Sequence, residues 1–234
     1  GNSPCWSTVQ PQLAEFGPVT ALDLPGYGAE PMLANRSLDS YLDWLAARLP
    51  ARALLVGFSL GGMLALALAA RRPGLLAGVV TVASNLSFIA RPEWPTALPA
   101  ATLASFVDSY RIAPAATIAR FSALASGGQR AVKKQLAAVP PLPPAVDAGA
   151  DQLDLLGELC LVAAAGQMAA TGLPVAMLFG DDDKLVPVAA VERISASFAK
   201  QRIIAIIAGN QVIIAAATHN VVVIRPGQRI IAVQ

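Results

Sequence analysis

A chain of 234 residues suits one domain, or one domain with an insertion, and is long enough to bury a large core. The hydrophobic fraction of 55% is high, with alanine supplying much of the excess, and a net charge of +2 without a basic, aromatic-studded stripe argues against a nucleic-acid partner. The two cysteines, Cys5 and Cys160, lie far apart and fit no metal spacing, which predicts reduced thiols, a cytoplasmic location and no metal or organic cofactor.

Residues 18–24 (PVTALDL) read as a buried strand running into a turn, Pro25-Gly26-Tyr27-Gly28. Ser37 then looks like the cap of an amphipathic helix over 38–49, with Tyr41, Leu42, Leu45 and Leu49 on one face. An apolar run, 53–56, leads into Gly57-Phe58-Ser59-Leu60-Gly61, and an Ala/Leu-rich helix follows over 62–70. Residues 76–83 (LAGVVTVA) are a second buried strand, so strands and helices alternate and a mostly parallel sheet is expected.

From 85 to 171 the pattern changes to helical runs broken by proline, including the cluster 140–144, with no strand signal. Buried-strand character resumes at 173–180 (LPVAMLFG), a helix is expected over 187–199 and a strand over 202–207. The simplest account is a sheet core formed by 1–84 and 172–234, interrupted by a helical lid over 85–171. A membrane span over the uncharged stretch 53–70 is the competing reading, and the three glycines and one serine in its middle argue against it.

Strand, sharp turn and helix around Ser59 form the pattern of a nucleophile elbow, with glycines two before and two after the serine to allow a close crossing. A serine hydroxyl needs a base, and His219 is the single histidine of the chain. The base in turn needs a carboxylate, which Asp181, Asp182 or Asp183 can supply directly after the strand 173–180. Serine, aspartate and histidine occur in that order, as expected for such an elbow. The backbone N–H of Leu60 is the expected first oxyanion donor, and a second would come from a loop at or before Gly1.

On these residues the chain resembles the α/β-hydrolase superfamily and, within it, the pimeloyl-[acyl-carrier protein] methyl ester esterases. The general matches are Leu22 to Gly28, Gly57 to Gly62 and Val80 to Ser84. The lid matches are more specific: Phe88 to Pro95, Arg120-Phe121 and Lys133-Lys134. The resemblance implies Ser59 as nucleophile, His219 as base and Asp183 as the acid, since the family places its aspartate four residues before a proline, here Pro187. It also implies that Arg120, Arg130, Lys133 and Lys134 meet the acidic acyl-carrier protein while Phe121 lines an acyl channel. The expected protein is a monomer with no membrane partner.

Two departures stand beside the resemblance. Members of the family carry a strand and a His-Gly-x-Gly loop ahead of the position of Gly1, so the chain is expected to lack its true amino terminus and to leave a sheet edge exposed. After Ala199 a β-branched tail stands where the family has a closing helix. A general carboxylesterase, or a non-catalytic protein on the same fold, remains the alternative.

Overall fold

The computed structural model describes residues 2–125, 146–180, 183, 185–186, 203–208, 211–215 and 230–233. A 3-10 turn (Ser3–Trp6) and α1 (Gln10–Ala14) precede β1 (Val19–Leu22), and α2 (Leu38–Ala46) connects it to β2 (Ala53–Phe58). Then come α3 (Leu60–Arg71), β3 (Leu76–Val82), α4 (Ala100–Ile112), α5 (Pro114–Ala125), α6 (Val146–Glu158) and α7 (Val162–Ala170). The chain continues through β4 (Val175–Gly180), β5 (Ile203–Ala208), β6 (Gln211–Ala215) and β7 (Ile230–Val233). The helix expected over 187–199 lies outside the described residues.

Among the described residues, seven strands form one sheet in the order β1-β7-β2-β3-β4-β5-β6. Every neighbouring pair is parallel except β5 and β6, which are joined through two residues and pair antiparallel from Ala208↔Gln211 to Ile204↔Ala215. That short connection explains the exception: two residues suffice for a hairpin, whereas a parallel return needs a crossover of a dozen or more.

β1 stands at one edge of the sheet, and β7 fills the flank of β2. This last strand enters between β1 and β2, pairing Val19↔Ile230 to Leu22↔Val233 on one side and Leu54↔Ile230 to Gly57↔Val233 on the other. A bare flank on β2 would leave a row of backbone N–H and C=O groups without ladder partners, and the β-branched tail supplies them. Alternation then sorts the side chains: Leu54, Val56 and Ala232 pack with Trp6 on one face, while Leu55, Ile231 and Val233 join the main core on the other.

Ser37 caps α2 as the sequence suggests, its Oγ accepting from the Ser40 N–H at 3.3 Å, and Tyr41, Leu42, Trp44 and Leu45 are buried. Helix α3 is buried from Leu60 to Ala69, which a stretch with no charged or polar face before Arg71 requires. Among the described residues no helix is long and apolar enough to cross a membrane.

Among the described residues, four helices lie between β3 and β4. Helix α6 is tied to the turn after β1, where Gln152 Nε2 donates to the Pro25 carbonyl at 3.1 Å and Arg36 pairs with Asp151 at 2.5 Å. Arg111 of α4 reaches Asp154 of α6 at 2.8 Å, and Arg91 Nη2 donates to the Gly157 carbonyl at 2.8 Å, satisfying an end of α6. Burial pushes the phenols of Tyr27, Tyr41 and Tyr110 above their ordinary range; neighbouring tyrosines add to the effect at Tyr27, and a Gln152 hydrogen bond opposes it at Tyr41.

Candidate active site

Ser59 stands between β2 and α3 with φ 52° and ψ −118°, a left-handed conformation that a non-glycine residue adopts only when its surroundings enforce it. Three sets of hydrogen bonds do so. The Ser59 N–H donates to the Val82 carbonyl of β3 at 2.9 Å, and the Ser59 carbonyl accepts from the Gly62 and Met63 N–H groups, each at 3.1 Å. The hydroxyl of buried Ser84 reaches the same Ser59 carbonyl at 2.9 Å and the Val82 carbonyl at 3.1 Å.

The glycines around the elbow have separable reasons. A Cβ on Gly57 would lie 2.5 Å from the Cα and N of Gly62 and 2.6 Å from the carbonyl carbon of Gly61, so strand and helix cross backbone to backbone. A Cβ on Gly62 would fall 2.0 Å from Ser84 Oγ. The expected close crossing is therefore present, and Gly62 shares in it.

Leu60 is the first residue of α3, so its N–H is one of those a helix leaves without an internal partner, at the positive end of the macrodipole. An oxyanion formed beside Ser59 would meet a fixed donor there. Ser59 itself is half-buried.

Asp183 follows β4, whose end lies one strand beyond β3 from the end of β2. Strands about 4.8 Å apart put roughly 10 Å between the backbones of β2 and β4, a gap of the size that two side chains with an imidazole between them can span. Asp183 Oδ1 accepts from the Leu185 N–H at 2.8 Å and the Val186 N–H at 2.9 Å. Both bonds fall on one oxygen and orient the carboxylate.

His219, Arg130, Lys133 and Lys134 lie outside the described residues, as do Asp181 and Asp182. Phe121 is on α5, edge-on to Phe106 of α4 at 5.8 Å between ring centroids, and 40% exposed. Arg120, beside it, makes a 3.4 Å contact to Thr117 Oγ1. Among the described residues, no group of three or more His, Cys, Asp or Glu side chains could hold a metal ion.

Ser84 is the member of this cluster whose contact sequence reasoning did not find. Its hydroxyl reaches the elbow because β3 is paired beside β2 and because Ala83 takes φ 49°, turning the chain back after the strand. Neither cause has a local signal in the residues 80–84.

A largely parallel sheet flanked by helices, with a strained serine at the carboxyl end of an interior strand and a helix starting at the next residue, defines the α/β-hydrolase fold. The alpha/beta hydrolase family matches residues 1–233, and the chain belongs to it. It is 35% identical over 237 residues to the biotin biosynthesis bifunctional protein BioHC of Cellvibrio japonicus, covering 100% of this chain and 45% of that protein. The pimeloyl-[acyl-carrier protein] methyl ester esterase of Aromatoleum aromaticum is 36% identical over 200 residues, covering 80% of this chain and 77% of that one. Among solved structures, a bromoperoxidase from Bacillus anthracis superposes with a TM-score of 0.73 at 18% identity, over 89% of this chain and 80% of the other, a likeness of fold.

Proposed function

We propose that this chain is a serine carboxylesterase that hydrolyses the methyl ester of a pimeloyl chain carried on acyl-carrier protein. The strained elbow at Ser59 is the observation that carries the chemistry, and the relatives named for this esterase, 35% and 36% identical, support the substrate. Ser59 Oγ attacks the ester carbonyl while His219 takes its proton, and the Leu60 N–H holds the oxyanion. The proton passes to the departing methoxide, methanol leaves, and water then hydrolyses the acyl-enzyme with His219 again acting as base. Asp183 orients His219 and offsets the charge of the imidazolium.

Residues 85–171 serve as the lid in this reading. Phe121 contacts the acyl chain, and Arg120, Arg130, Lys133 and Lys134 face the acidic carrier, which raises the rate of encounter more than the rate of the chemical step.

Two measurements test the reading. A fluorophosphonate should add once to the protein, as seen by intact mass, and the adduct should be absent from Ser59→Ala; labelling that persists in the variant would remove Ser59 as nucleophile. Reversing Arg120, Lys133 and Lys134 to Glu should lower kcat/KM on the carrier-bound ester at least tenfold and leave a p-nitrophenyl ester within about twofold. Equal losses on both substrates would sink the carrier surface and favour a general carboxylesterase.

A further inference from the structure

We infer that Ser84 is a positioning residue for the oxyanion donor, acting through the peptide unit that joins Ser59 to Leu60. The inference rests on the reading of Ser59 as nucleophile and Leu60 as oxyanion donor. The carbonyl of Ser59 and the N–H of Leu60 belong to one planar peptide, so whatever holds the carbonyl also aims the N–H. That carbonyl receives three donors: Gly62 N–H, Met63 N–H and Ser84 Oγ at 2.9 Å.

The two helical donors come from α3 and move with it. Ser84 comes from the turn after β3 and ties the same oxygen to the sheet. Its one hydroxyl proton is shared with the Val82 carbonyl at 3.1 Å, the atom that already accepts the Ser59 N–H, so both peptide groups flanking the Ser59 Cα are referred to one point on β3. A left-handed residue needs such bracing, because φ 52° is a strained conformation for a residue with a Cβ and an unbraced elbow would relax away from it.

The contact has a second consequence. Hydrogen bonds in series polarise one another, so donation into the Ser59 carbonyl strengthens the Leu60 N–H as a donor on the opposite side of the peptide. The gain is largest when an oxyanion is present, so it stabilises the transition state more than the bound ester. The surroundings suit this role: Ser84 is 1% exposed and the ideal Cβ position of Gly62 lies 2.0 Å from its Oγ, so an alanine at 62 would drive the hydroxyl out. Ala83, at φ 49°, anchors the turn by donating its N–H to the Leu178 carbonyl of β4 at 2.9 Å.

The test compares the full chain with Ser84→Ala and Ser84→Cys, the latter keeping a weak donor of similar size. Rates on a p-nitrophenyl ester are normalised to sites titrated with a fluorophosphonate, and the affinity for an alkyl trifluoromethyl ketone, which forms a tetrahedral oxyanion on serine, is measured beside them. Ser84→Ala should lower kcat about three- to tenfold with KM unchanged, and weaken the ketone by the same factor. Ser84→Cys should fall between alanine and the parent in both readouts. A purely structural residue would lower thermal stability without this matched loss. An active parent whose Ser84→Ala variant keeps kcat and ketone affinity would overturn the role of Ser84 alone. A parent inert to ester, fluorophosphonate and ketone would overturn the serine-esterase reading and this inference with it.

Discussion

Replacing Gly57 by alanine should damage both stability and turnover, because the atoms in its way cannot move aside. The added Cβ would stand 2.5 Å from two backbone atoms of Gly62, about 0.9 Å inside an ordinary contact beginning near 3.4 Å. Helix α3 would have to retreat by roughly that distance, yet it is buried from Leu60 to Ala69 and packs on β2, β3 and α2. Overpacking of this kind costs about 1–3 kcal/mol. A displacement near 1 Å also moves Ser59 and the Leu60 N–H, a misplacement worth about 100-fold in rate. Gly166, in the middle of α7 with nothing within 4 Å of its ideal Cβ, is the matched control and should gain about 0.5–1 kcal/mol as alanine. Urea unfolding followed by circular dichroism, with turnover of a p-nitrophenyl ester, reads all three proteins. A Gly57→Ala variant within about 0.5 kcal/mol and threefold of the parent would refute the backbone-crossing argument.

Ser59→Gly should be more stable than Ser59→Ala by about 1 kcal/mol in the same urea assay, since glycine adopts φ 52° without the penalty of a Cβ; equal stabilities would mean that the elbow is unstrained. Ile231→Asp should lower stability by more than about 3 kcal/mol, because the carboxylate would enter an interior strand at a position 3% exposed. An Ile231→Asp protein with native-like unfolding would show that β7 does not sit between β1 and β2. Stability should fall as pH rises above about 10, where the unfolded chain releases phenolic protons that half-buried Tyr27 and buried Tyr41 and Tyr110 retain. Tyr27→Phe should flatten that alkaline slope when unfolding is followed from pH 9 to 11, and an unchanged slope would contradict its burial.

The elbow was legible because its determinants are local: glycines at 57, 61 and 62, an apolar strand before them and an uncharged run after. The cap at Ser37 was legible for the same reason, since a side chain and an N–H three residues on need no distant partner. The fold class followed from alternating buried strands and helices, and the strand after the long helical interval, β4, came from a run of apolar residues bounded by turn signals. The tail was less legible: residues 230–233 suit a strand by composition, but composition does not name a neighbour.

By itself, then, the amino-acid sequence determined where the chain turns sharply, that the run before Gly57 buries both faces and which serine is held at a strand-to-helix corner, while the run 19–22, read as buried, is a partly exposed edge strand. Tertiary structure alone decided that β7 fills the flank of β2, that Oδ1 of Asp183 is occupied by two backbone amides, and that Ser84 grips the elbow from the next strand. These are pairings between segments far apart in the chain or geometries of a turn, and a strand's period-2 pattern fixes which face it buries without fixing the strand beside it.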